Sequence, residues 1–193
     1  GYYTNTISKL INNIVVISNI SNNYEIIRSL TAFVSFINAK ENAGQERAVL
    51  SNTFSADKFG DGIYNKFIAL VVAQNLYIEE FKKYVDPEEL INYNNITSGN
   101  KDFQEVERMR AVAMENAFTG GFETSGTYWF ATITKKIDIL KQIEDRLAAR
   151  LIKDIDQIRK SNIDVLVFSI GILAFAFIAT FGFGYSIIHN INS

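Results

Sequence analysis

The apolar positions between Leu30 and Phe54 recur at alternating spacings of three and four. Phe33, Phe36, Lys40, Ala43, Arg47, Leu50 and Phe54 form one stripe of a helix at that spacing. A second stripe, Leu30, Val34, Ile37, Glu41, Gly44 and Ala48, runs beside it. Together they predict a face wide enough to be buried in a bundle. The middle of that face carries Lys40, Glu41 and Arg47, grouped around Gly44. Unpaired charge is costly in a helical core, so these residues call for partners or a ligand.

The same periodicity predicts further helices. One runs from about Asn23 to Asp57 and is broken by Gly60-Asp61-Gly62. Another spans Ile63 to Tyr84, with Phe67, Leu70, Val71, Gln74, Ile78 and Phe81 facing inward. Asp86-Pro87-Glu88-Glu89 reads as a helix start: a capping acid, proline at the first helical position, then acids favoured by the dipole. The polar run Asn92 to Asn100 reads as a loop. From Asp102 to Phe118 a helix places Phe103, Val106, Arg110, Ala113 and Ala117 on one face, and Thr119-Gly120-Gly121 ends it. A last helix begins near Ser125 with Phe130, Ile133, Ile137, Leu140, Leu147 and Leu151 as its apolar stripe. Its interleaved charges, Lys135, Lys136, Asp138, Lys141, Glu144, Asp145 and Arg146, suit a solvated face. Tyr2 to Ser18 is apolar at helical spacing and reads as the end of a further helix. No stretch sustains period-two alternation.

The expected fold is therefore all-α, an antiparallel up-and-down helical bundle. Nothing breaks the last helix before Val165, and Val165 to Ile188 contains no charged residue. A run of that length and character is expected to cross a membrane. The predicted organisation is a helical sensor domain over residues 1–160, a transmembrane helix over 163–188, and the start of a cytoplasmic linker over 189–193.

Composition narrows the chemistry. The net charge is −2, and the 193 residues include no cysteine, one proline and one histidine. Balanced charge speaks against a nucleic-acid partner. Disulfides and thiol chemistry are excluded, and His189 alone beside the apolar run offers neither a catalytic dyad nor a zinc site. No nucleophile–base or metal constellation appears, so neither an enzyme nor a cofactor is expected.

Lys40, Gly44 and Arg47 stand at i, i+4 and i+7, two cations about a position without a side chain. Glycine in a helix costs about 1 kcal/mol relative to alanine, which either close approach of another helix or room for a ligand would offset. An arginine fork matches a small planar oxyanion such as nitrate or nitrite. Salt bridges from Glu41 or Glu46 are the alternative for Lys40 and Arg47, as Glu105 and Glu107 are for Arg110. Gln74 reads as a satisfied core amide.

The segment AKENAGQERAVLSNTF, Ala39 to Phe54, resembles the signature of the nitrate- and nitrite-sensing (NIT) family. Further similarities follow in order at AQNLYIEEF (Ala73 to Phe81), VERMR (Val106 to Arg110) and YWFATITKKIDILKQIEDRL (Tyr128 to Leu147). They cover about Ala32 to Leu151. The resemblance implies an all-helical sensor, usually the extracytoplasmic part of a bacterial receptor such as a chemoreceptor. In that family the anion is held by arginines from two bundles, one in an ERG-like and one in an ERA-like motif. Only the second is found here, as Glu46-Arg47-Ala48; nothing from Gly1 to Asn38 resembles the first. The chain thus resembles the C-terminal half of such a domain followed by a membrane helix, and Ser186 to Ile191 is similar to the start of a HAMP linker.

The resulting expectation is a sensing module of a transmembrane receptor in the bacterial inner membrane. Its sensor part would be periplasmic and its assembly a homodimer, with nitrate or nitrite as ligand. Arg47, Lys40, Gly44, Glu46 and Arg110 are the expected binding residues. A receptor of the same fold for another small molecule or protein, and a membrane-anchored dimerisation bundle, are the alternatives.

Overall fold

The structure, a computed structural model, describes residues 24–191, with side chains through residue 157 and that of Lys160. The expected helix at Tyr2 to Ser18 lies outside the described residues. Five helices follow: α1 (Tyr24–Ala56), α2 (Ile63–Tyr84), α3 (Pro87–Thr97), α4 (Lys101–Glu115) and α5 (Gly126–Ile191). The described residues divide into two compact units, with the boundary between Leu151 and Ile152.

The helix starts are set by side chains. Asp86 accepts the Glu88 amide at 2.9 Å ahead of Pro87, so the predicted start of α3 is observed. Asn100 accepts from the amides of Asp102 and Phe103 at the head of α4. Ser125 Oγ accepts the Tyr128 amide at the head of α5. Each satisfies backbone donors that a first helical turn leaves unpaired.

The expected loop at Asn92 to Asn100 is instead helical as far as Thr97. Tyr93 explains the difference. Its ring lies 5.3 Å from Phe81 and 6.2 Å from Phe36, so one buried aromatic holds the segment in register while Asn94 and Asn95 face solvent. Tertiary packing here overrides the weak helical preference of asparagine.

In the first unit the helices run up and down between two apolar clusters. One contains Leu50, Phe54, Phe67, Val106, Trp129 and Ile133. The other contains Phe36, Phe81, Tyr93, Leu140 and Leu147. α1 passes from the second cluster to the first, and α2 returns. α3 and α4 together form the third arm, and α5 the fourth. This is the expected bundle, with one arm interrupted at Ser98–Asn100, where Gly99 takes a positive φ of 73°.

The buried face of α1 is rotated from the predicted one. Phe36, Ala43, Leu50 and Phe54 are buried as expected, but the adjoining row is Ala32, Ser35, Ala39, Glu46, Val49 and Thr53. The row through Glu41, Gly44 and Ala48 is not buried. Small side chains at Ala32, Ser35 and Ala39 let neighbouring helices approach closely, which the larger Val34 and Ile37 would hinder.

The bundle closes where α5 begins. Phe54 packs edge-on against Phe122 and Trp129, with centroids 5.4 and 5.8 Å away. Gly126 sits directly on α1: a methyl group there would lie 2.5 Å from the Ser51 carbonyl oxygen and would also clash with Ser55 Oγ. A backbone oxygen cannot step aside without moving the helix.

No helix among the described residues is long and apolar enough to cross a membrane. The backbone of α5 stays helical to Ile191, but the side chains of the predicted span at 163–188 lie outside the described residues. Gly126→Ala is expected to lower stability by about 1–3 kcal/mol, with the secondary structure retained, as measured by urea unfolding followed by circular dichroism.

Candidate functional site

Adjacent residues of α1, Glu46 and Arg47, serve opposite sides of the helix. Glu46 is fully buried and meets α2 and α4. Its carboxylate accepts from Arg110 Nε at 2.7 Å and Arg110 Nη2 at 2.6 Å, the two-point geometry that makes such pairs strong. Gln74 Nε2 donates to the same carboxylate at 2.8 Å, while Gln74 Oε1 accepts from Arg110 Nη2 at 2.8 Å. Arg110 Nη1 donates to Glu107 at 2.7 Å. Gln74 is the satisfied core amide the sequence suggests, and Arg110 donates to Glu46, Gln74 and Glu107. Burial is the largest single influence and opposes the charge of Arg110, but the hydrogen bonds and charges of Glu46 and Glu107 together outweigh it and hold its pKa above the ordinary value.

Lys136 of α5 joins this layer. Its side chain is buried, contrary to the predicted solvated face, with Glu107 Oε1 at 3.8 Å and the Phe103 ring centroid at 5.3 Å. Burial pushes its pKa down to about 8; the Arg110 charge adds to the effect, and Glu46 and Glu107 oppose it. Glu144, also assigned to the outer face, is partly buried and pairs with Lys40. Both corrections have one cause. α5 is surrounded on more sides than its apolar stripe implies, and long charged side chains reach inward where an opposite charge stands.

On the other side of α1, Arg47 faces α5. Its Nη1 donates to Thr134 Oγ1 at 3.0 Å, and its guanidinium lies 4.8 Å from the centroid of the half-exposed Phe130. The Trp129 indole donates to the Arg47 carbonyl at 3.1 Å, fixing the backbone beneath the side chain. Among the described residues no carboxylate lies within ion-pair distance of Arg47, and its one side-chain hydrogen bond is the one to Thr134. One turn away, a methyl at Gly44 would meet nothing within 4 Å. Of the two reasons for a glycine in this helix, close approach of a neighbour finds no support among the described residues, and open space remains.

The expected site residues thus separate into two groups. Glu46 and Arg110 are joined inside the bundle. Lys40, Gly44 and Arg47 lie along the seam with α5, where Lys40 is already paired and Arg47 is not. Thr134 and Trp129 complete the surroundings of Arg47 and are not marked by spacing, because their relation to α1 exists only across the helix interface; Phe130, expected on the apolar stripe of the last helix, is instead half-exposed and lies against the guanidinium. Among the described residues no group of side chains suited to a metal ion occurs.

The family model for nitrate and nitrite sensing matches residues 1–152. The chain belongs to the nitrate- and nitrite-sensing family. It is also similar to a nitrate regulatory protein of Klebsiella oxytoca, with 22% identity over 156 residues, 81% of this chain. That stretch spans 39% of the length of the Klebsiella protein. No solved structure is significantly similar to the chain. Membership in this family supports a sensor or regulator rather than an enzyme.

Two outcomes test the energetics. Arg110→Met alone leaves Glu46 buried without its partner and is expected to cost about 3–5 kcal/mol, whereas Glu46→Met/Arg110→Met together recovers most of that loss; a double-mutant cycle in urea measures both. Lys136 has a folded pKa below its unfolded value of 10.5, so the unfolded chain binds more protons between about pH 8 and 10.5. Its contribution therefore becomes more favourable as pH rises through that window, by up to about 1.4 kcal/mol per unit. Lys136→Met is expected to be more stable than the parent at pH 7, with the gap narrowing by pH 10 in paired unfolding curves.

Proposed function

We propose that the chain is the ligand-sensing module of a bacterial transmembrane receptor, with nitrate or nitrite as the ligand and Arg47 as its principal contact. The observation that carries the reading is the guanidinium of Arg47, without a carboxylate partner among the described residues, held by Thr134 and backed by Phe130, beside the open position at Gly44. A planar, singly charged oxyanion matches two parallel donors of that fork. Lys40 and Gly44 shape the same seam, while Glu46 and Arg110 hold α1 from behind.

Arg47 sits between α1 and α5, so an anion drawn to it would pull on both. α5 is the helix that runs onward to Ile191. A small rotation or shift of one helix is a sufficient output for a packed bundle. The uncharged run Val165 to Ile188 supports an inner-membrane anchor, with the bundle periplasmic and the receptor working as a homodimer.

Titration calorimetry with nitrate and nitrite on the full chain tests the ligand. Binding in the millimolar range or tighter is expected, weakened by at least roughly tenfold in Arg47→Ala with an unchanged helical spectrum. Absence of heat at millimolar anion, or an undiminished response in Arg47→Ala, overturns the assignment.

A further inference from the structure

Beside the buried polar layer, on the side of α2, α4 and α5, lies a cavity of about 210 Å³. It does not include Arg47. Its walls combine Ile78, Phe103 and Leu140 with Lys136, Asn75 and Glu107. Lys136 is only 7% exposed, yet among the described residues its amine donates no hydrogen bond. The nearest carboxylate oxygen, on Glu107, is beyond hydrogen-bond distance at 3.8 Å and already accepts from Arg110 at 2.7 Å. The donors of a largely buried side chain ordinarily find a partner, and this residue lines the cavity. Here the protein supplies a ring face, one shared carboxylate and a cavity.

We infer that this cavity is a second ligand site, for a short aliphatic monocarboxylate whose carboxylate accepts from Lys136 and whose hydrocarbon lies against Ile78, Phe103 and Leu140. The two halves of the cavity select that chemistry. A charge-assisted bond to the amine needs a compact anionic oxygen acceptor, and the apolar wall adds affinity for each buried methylene. Glu79 and Glu107 also line the space, but neither is a free negative charge: Glu79 pairs with Lys82 and Glu107 with Arg110. The depressed basicity of Lys136 is consistent with an ammonium that the protein alone leaves undercompensated. The volume suits a chain of a few carbons, larger than nitrate needs.

The site is distinct from the Arg47 seam and independent of the nitrate reading. It nevertheless touches the same helices, because Lys136 lies two residues from Thr134 on α5 and Gln74 of the cavity wall bonds to Glu46, the neighbour of Arg47.

Thermal shift and calorimetry with acetate, propionate, butyrate and valerate at pH 7 test it on the full chain. Affinity is expected to rise from acetate to butyrate, to fall by at least roughly tenfold in Lys136→Met, and to persist in Arg47→Ala. Lys136→Gln, which keeps a polar end without the charge, is expected to behave like Lys136→Met. No response to any of the four acids, or a response that both Lys136 variants retain, overturns the proposal. Loss of the nitrate response in Arg47→Ala with the butyrate response intact separates the two sites, and a butyrate response abolished by Arg47→Ala places that ligand at the seam and overturns the proposal.

Discussion

The fully buried Glu46–Arg110 pair is the constraint on which the bundle depends. Two charges withdrawn from water cost several kcal/mol unless their attraction and remaining hydrogen bonds compensate. Here both requirements are met by parts of three helices: a two-point bridge from α1 to α4, with Gln74 of α2 bonded to both partners. A slip of one helix by a turn would separate these groups and leave each uncompensated. The pair thus sets register in a core whose aliphatic and aromatic contacts alone would tolerate sliding.

The position of this layer matters as much as its energy. In α1, α2 and α5, the residues Glu46, Gln74 and Lys136 fall between the members of one apolar cluster and those of the other. The bundle therefore has an apolar cluster on either side of a charged waist. At that waist α1 presents Glu46 inward and Arg47 toward α5, so one residue fixes the helix while its neighbour remains available. On the proposed reading, a ligand at Arg47 would act on a helix whose other face is fixed by the Glu46–Arg110 pair.

The seam between α1 and α5 and the cavity between α2, α4 and α5 draw on different chemistry. Arg47 offers a planar fork at a partly open surface. Lys136 offers a buried point charge against hydrocarbon and an aromatic face. Such environments favour different anions: the fork suits a planar oxyanion, and the lysine cavity suits a carboxylate with an apolar tail.

Periodicity determined the helices of this protein because local spacing is enough to mark an apolar stripe. The predicted span Ile63 to Tyr84 agrees with α2, and the Asp86-Pro87 start agrees with α3. Sequence also marked Arg47, Gly44 and Arg110 as residues out of place in a core, and the ordered segments from Ala39 to Leu147 pointed to the family that residues 1–152 match. Spacing did not reveal which charges were paired. That Arg110 is held by Glu46, that Lys40 meets Glu144, and that Lys136 turns inward are facts of contact between helices up to 104 positions apart in sequence. Nor did it show that Tyr93 keeps an asparagine-rich stretch helical. A helix repeats every 3.6 residues and so records which face is apolar; only the packed bundle decides which neighbour that face meets, and therefore which cation finds a carboxylate.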